Sequence, residues 1–304
     1  MAFAAFGSNN PTPSNKPTRS GKVVIALLAP GLAYLAMFFL TPLFALIMVS
    51  LEVPDPAGGY AEYVPGFEWG NYAYVISEYF PHILRSFGYA LTATVLALLI
   101  SYPLAYFIGV KARPWPMLQK LMLTLVIAPF FISFLLRTLA WKQIFSNESW
   151  IVTSLHNMGI LDQTQYVVGT PFMVIFGLTY NFIPFMTLPL YTSLERLDTR
   201  YLEAGSDLYA TPAKVFRKVT LPLSMPGIIS GTLLTFIPIA GDYVNASGDF
   251  LGSSSTAMIG NVIESNYLQI NDYPSASALS VLLMGVILVL VSVYVRKSGT
   301  EDLL

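Results

Sequence analysis

Long apolar runs alternate along the chain with shorter polar stretches. A helix needs about 20 mostly apolar residues to cross a bilayer, and six runs meet that length, over about residues 23–50, 83–109, 121–145, 171–193, 226–245 and 274–296. The pattern predicts an all-α membrane protein with six transmembrane helices. The first run follows Lys16, Arg19 and Lys22, is longer than a signal-peptide core and lacks a convincing cleavage site, so it reads as a retained span. Residues 1–22 read as a disordered cytoplasmic tail, 23–296 as the membrane domain and 297–304 as a cytoplasmic end.

The polar stretches carry charge of one sign on alternate sides. Lys16, Arg19, Lys22, Lys111, Arg113, Lys120, Arg196, Arg200, Lys214, Arg217, Lys218, Arg296 and Lys297 all fall in the tail, the second and fourth connections and the C-terminal end. The opposite loops, 51–82, 146–170 and 246–273, hold no Lys or Arg. Basic residues stay on the cytoplasmic side, so both termini and the 194–225 loop are expected there. The outer loops are acidic, with Glu52, Glu78, Asp249 and Glu264 among their carboxylates. That suits a cationic solute or its carrier, and it is also what a loop without positive charge looks like.

The 194–225 loop has its own periodicity. Leu197, Tyr201 and Leu202 share a helical face, with Ala204 and Leu208 nearby. Thr211-Pro212 reads as a second helix start, Thr as the cap and Pro at the first helical position. Val215, Phe216 and Val219 form an apolar stripe beside Lys214, Arg217 and Lys218, and Leu221-Pro222 and Met225-Pro226 are expected to break the helix. Two short amphipathic helices therefore meet at a turn near Tyr209-Ala210. Neither is long enough to be stable alone in water, so the pair must pack on something, either the membrane surface or a groove on a cytoplasmic partner.

Composition narrows the classes. Only 11% of the residues are charged and 55% are hydrophobic, with mean hydropathy +0.61, whereas soluble domains average about 25% charged. The absence of Cys excludes disulfides and thiolate chemistry. A net charge of −1 argues against nucleic-acid binding, and His82 and His156 form no metal pattern. No Ser/His/Asp set or phosphate-binding Gly-Lys-Ser/Thr loop is evident, so catalysis in this chain is not expected.

The stretch Glu203-Ala204-Gly205-Ser206-Asp207-Leu208-Tyr209-Ala210, continuing through Phe216 to Leu221-Pro222, resembles the EAA loop of ABC-importer permeases. That pattern runs Glu-Ala-Ala, then Gly, then Phe, then an aliphatic-Leu-Pro. Here Gly205 replaces the second Ala, and Tyr209 stands where the family has Gly for a left-handed turn. The resemblance implies the type I importer permease architecture in a bacterial inner membrane, with the loop docking on an ATPase. Glu203 would meet basic or polar groups of that ATPase and Phe216 would be the apolar anchor. It implies two copies of the ATPase subunit, a second, homologous permease to complete the pore, and an extracytoplasmic solute-binding protein. ATP and Mg would be bound by the ATPase, with no cofactor in this chain.

The resemblance reaches beyond the loop. Pro30-Gly31, Pro42-Leu43, Met258-Ile259-Gly260-Asn261-Val262-Ile263 and Asn271-Asp272-Tyr273-Pro274 are similar to the permeases of spermidine and putrescine import. Relatives for opines, other amino compounds or ferric ion share much of this. An ion-coupled secondary transporter is the alternative of a different class, although no internal repeat is evident.

Polar groups inside the spans are few. Arg85 and Lys142 sit near outer ends, where they are expected to snorkel. Arg137 lies deeper, and a deep charge needs a partner or a cavity; Asp242 is the candidate partner or pore-lining carboxylate. Trp141, Tyr180 and Tyr243 are candidates to stack on a cation, or members of the interfacial belts. Pro129, Pro184, Pro189, Pro222, Pro226 and Pro238 are expected to interrupt helices. Gly227 and Gly231 make a small-xxx-small face suited to close packing.

Overall fold

A computed structural model describes residues 21–59, 61–162 and 164–297. The ends 1–20 and 298–304, read above as cytoplasmic, lie outside that range. One compact unit ends at Leu46 and a second begins at Ile47. The first contains α1 (Gly21–Leu35), a wide π turn at Ala36–Leu40 and the start of α2 (Thr41–Val49).

The second unit is built around α3 (Gly70–Tyr106), which continues as a π turn over Phe107–Lys111. Together these make 42 helical residues, about 60 Å at 1.5 Å per residue and twice the hydrocarbon thickness of about 30 Å. The expected start at residue 83 is therefore too late: the helix begins 13 residues earlier, in a polar and aromatic segment that extends beyond a membrane core. The next run is α4 (Pro116–Ile127), a 3-10 turn at Ala128–Phe131 and α5 (Phe134–Ile144), bent by 94° at the break. α6 (Trp150–Asn157) precedes α7 (Pro171–Glu195). Then come α8 (Arg200–Asp207), α9 (Pro212–Val215), a π turn at Phe216–Thr220, α10 (Leu221–Leu223) and α11 (Met225–Ala240). α12 (Ile259–Ser265), a π turn at Asn266–Ile270 and α13 (Tyr273–Lys297) complete the described chain. By length and apolarity, the described residues hold four helices able to cross a membrane, or six if each of two bent pairs is one span.

Beside the helices, Val53–Pro54 and Tyr63–Val64 form a short antiparallel ribbon with Val53 opposite Val64. Two sequence expectations about proline need correction. Pro184, Pro189 and Pro238 lie within helices that continue past them. Pro222 does not break its helix either; the break falls at Ser224, where the axis bends by 65° before Met225-Pro226.

Small residues set the packing. Ala90, Ala93, Ala97, Ser101 and Ala105 form a buried stripe on α3, which lets α7 approach closely. Their shared core joins Ala97, Tyr102 and Ala105 to Met186, Leu190 and Leu194. A Cβ added at Gly227 would lie 2.6 Å from Ser193 Cβ and 2.8 Å from the Pro189 carbonyl oxygen, and one at Gly231 would lie 2.8 Å from Met186 Sδ. The two glycines therefore seat α11 on α7. Such contact surface, rather than exclusion of water, holds helices together in lipid. The outer faces stay apolar: Met117, Phe131, Leu288 and Val289 are exposed.

Candidate docking loop and buried polar cluster

The segment between α7 and α11 folds as two short helices. Asp198 Oδ1 accepts from the Arg200 amide at 3.0 Å at the start of α8. Glu203 lies in the first turn of α8, where a carboxylate suits the helix dipole. Glu203, Ala204 and Asp207 are exposed. Gly205 faces α9, and a Cβ there would sit 2.9 Å from a methyl of the buried Val215.

α8 ends in a Schellman motif. The Ala210 amide donates to the Gly205 carbonyl at 3.1 Å and the Tyr209 amide to the Ser206 carbonyl at 2.9 Å. Tyr209 takes the left-handed position with φ +55°. The turn is thus the one that Gly serves in similar loops, made here by a residue with a side chain. Tyr209 is 97% exposed and Leu208 81% exposed, so the tip is apolar and uncovered.

α9 starts with Pro212 at its first position, but the Thr211 hydroxyl makes no capping bond, contrary to expectation. The Thr211 carbonyl instead accepts from the Lys214 and Val215 amides. Phe216 meets Tyr102 edge-on at 5.5 Å on one side and is 39% exposed on the other. Leu221 packs beside the α3–α7 core, while Pro222 is exposed. Arg113 donates to the Gly109, Leu194 and Glu195 carbonyls, binding the turn after α3 to the end of α7. A cleft of about 750 Å³ opens beside the loop, lined by Pro189, Arg196, Asp198, Tyr201, Pro226 and Ser230.

The candidates in the spans divide into two groups. Asp242, just beyond α11, is buried and does not pair with Arg137. Its Oδ1 accepts from the Asn245 amide at 2.8 Å and its Oδ2 from Asn245 Nδ2 at 3.0 Å. Asn245 Oδ1 accepts from Asn181 Nδ2 at 3.1 Å, which also donates to Thr138 Oγ1 at 3.2 Å. Arg137, next to Thr138, is buried, with no hydrogen-bond partner among the described residues for Nε or Nη1. Its guanidinium lies 5.9 Å from the centre of the Phe134 ring. Trp141 and Tyr180 come together, edge to face at 5.1 Å, with Phe176 also against Trp141. Tyr243 stands apart, half exposed.

Arg85 and Lys142 both reach backbone carbonyls of the 246–273 segment. Arg85 Nη1 donates to the Ala257 carbonyl at 2.7 Å and Lys142 Nζ to the Asp249 carbonyl at 2.7 Å. Nearby, burial and the Asp249 charge raise the Glu264 carboxyl above its ordinary pKa. Sequence reasoning missed Tyr102, Thr138, Asn181, Ser224 and Asn245. Asn181 alone had a usable signal, an amide in the middle of an apolar run.

A helical bundle with bent, proline-containing spans and a polar two-helix connection between two of them defines a multi-pass membrane protein. The chain belongs to the family of binding-protein-dependent transport system inner membrane components, whose model matches residues 101–297. It is 35% identical over 269 residues to the spermidine/putrescine transport system permease protein PotB of Escherichia coli strain K12, covering 87% of this chain and 94% of that one. The PotB of Haemophilus influenzae is 34% identical over 278 residues, covering 91% of this chain and 93% of its own. Among solved structures, a bacterial ABC transporter involved in import of the acidic polysaccharide alginate matches with a TM-score of 0.64 at 18% identity, over 92% of this chain and 96% of that one. The latter likeness speaks for the fold alone.

Proposed function

We propose that this chain is a permease subunit of an ATP-driven importer of polyamines such as spermidine and putrescine. The observation that carries this reading is the 35% identity to PotB over 94% of that protein's length. In this reading six spans cross a bacterial inner membrane with both termini in the cytoplasm. The loop 194–225 docks on one of two ATPase subunits, and a second permease completes the pore. Glu203 and the apolar tip at Leu208 and Tyr209 face the ATPase, which binds ATP and Mg and hydrolyses the nucleotide. ATP binding draws the paired loops together and tilts the spans, so that the pore changes from inward- to outward-facing. An extracytoplasmic binding protein then releases solute to it.

The paired Trp141 and Tyr180 rings offer faces for an ammonium group. Asp242 holds the outer turn through Asn245 rather than offering a free carboxylate. The unpaired Arg137 guanidinium favours a second reading, an amino solute that also carries a carboxylate.

Proteoliposomes containing both permeases and the ATPase, supplied with the binding protein, test this. Labelled spermidine should accumulate saturably, only with ATP and binding protein, and putrescine should compete. If spermidine stays outside while an amino acid or opine stimulates hydrolysis, the polyamine assignment fails and the second reading gains. Transport abolished by an uncoupler alone, without any need for ATP, would instead indicate an ion-coupled carrier.

A further inference from the structure

We infer that Tyr102 is the joint through which movement of the 200–224 loop reaches the membrane helices. The inference rests on the reading of that loop as the ATPase-docking element.

Tyr102 lies on α3 near its cytoplasmic end in that reading, and it is buried. Its side chain makes two contacts that grip opposite ends of one short segment. The ring meets Phe216 edge-on at 5.5 Å, at the first residue of the π turn after α9. The hydroxyl lies 2.8 Å from Ser224 Oγ, at the residue where the chain bends by 65° into α11. Ser224 Oγ also donates to the Leu221 carbonyl at 3.0 Å. That bond uses its only proton, so the Tyr102 hydroxyl donates to Ser224.

The surroundings make the grip effective. Tyr102 belongs to a core with Ala105, Met186, Leu190 and Leu194, so it is fixed to α7 as well as α3. Arg113 adds a second tie between these two helices through carbonyls at the end of α7. α3 and α7 thus form one block at this end. The loop cannot shift relative to that block without losing the ring contact, the hydroxyl bond, or both. π turns of this kind frequently sit at functional sites. Phe216 accordingly ties the loop to Tyr102 through one edge of its partly exposed ring, and the tip at Leu208 and Tyr209 has no such tie to α3.

The test uses the reconstituted transporter with all its subunits. Tyr102→Phe removes the hydroxyl and keeps the ring, so folding is preserved; Tyr102→Leu removes both contacts. Retention of the ATPase on the purified complex and solute moved per ATP hydrolysed are read together. Tyr102→Phe should keep the ATPase bound and lower solute per ATP about fivefold, the value of one neutral buried hydrogen bond. Ser224→Ala should give the same loss, and the double variant should add nothing to either. Tyr102→Leu should lose more than tenfold. An unchanged ratio in Tyr102→Phe and Tyr102→Leu, with the ATPase still bound, would overturn the joint and leave docking intact. Loss of the ATPase from Phe216→Leu would also overturn it, because Phe216 would then be the partner's anchor. If the unaltered complex retains no ATPase, the docking reading itself fails.

Discussion

The 194–225 loop and the polar cluster beyond the other end of α11 handle polar groups in opposite ways. In the loop, Glu203, Asp207, Lys214, Arg217 and Lys218 are all exposed, and backbone bonds alone close the turn. In the cluster, Asp242, Asn245, Asn181 and Thr138 are buried and bonded to one another across three parts of the chain. A solvated charge is cheap to keep and cheap to move. A buried polar group is costly unless each partner stays in place. The exposed loop charges are thus free to meet solvent or a partner at little cost, whereas the cluster fixes α5, α7 and the turn after α11 in register. Arg137 breaks the second pattern, since it is buried beside the cluster without joining it.

The largest effect should come from Asp242→Ala. It leaves the Asn245 amide and side chain without their acceptors, at a cost of about 3 kcal/mol. Thermal melting of the purified complex in detergent should show a clear fall, with aggregation at a lower temperature. Glu203→Ala is the matched change in the loop. It should leave melting untouched and reduce the ATPase bound after washing. If Asp242→Ala melts like the unaltered protein, the cluster is not what holds the turn after α11. If Glu203→Ala lowers the melting point instead of ATPase retention, the contrast between the regions collapses.

Next in size is Arg137→Met. An uncompensated buried charge destabilises, and an apolar side chain of similar length should raise stability by about 2 kcal/mol. The Phe134 ring offsets part of the charge's cost, so the gain stays modest. A rise in melting temperature with loss of transport would mark Arg137 as a group kept for function. A fall would mean that the guanidinium is satisfied within the assembled transporter, for example by a carboxylate of the second permease.

The same contrast explains what could be read from sequence. The two loop helices were legible because their signals are local: Pro212 at a helix start, an apolar stripe through Val215 and Phe216, and contiguous residues resembling a known loop. The cluster was not, because its members run from residue 138 to 245 and no spacing rule joins them. Asp242 looked like a partner for Arg137 because both were charges in apolar runs. It found Asn245 instead, three residues along a turn that offers an amide and a side-chain donor at once. The 94° break before α5 was also hidden. Pro129 promised an interruption, and only the extended backbone at Ile132 and Ser133 sets its size.

The smallest effect, and the finest test of the loop, is Tyr209→Gly. A residue with a side chain at φ +55° costs about 1 kcal/mol relative to Gly. Tyr209 recovers none of this within the chain, because its side chain is almost fully exposed. Glycine also loosens the unfolded chain, which offsets part of the relief. Melting of the isolated permease pair should therefore rise slightly or stay level. With the ATPase present the prediction reverses, since a strained and exposed aromatic gains only if a partner covers it. Binding of the ATPase to Tyr209→Gly should weaken, while Tyr209→Phe, with the same ring and the same backbone strain, should bind as the unaltered loop does. Equal ATPase affinity in the glycine variant would leave the strain without a use at the interface. The tip would then be a tolerated substitution, and Glu203 and Leu208 would carry the docking alone.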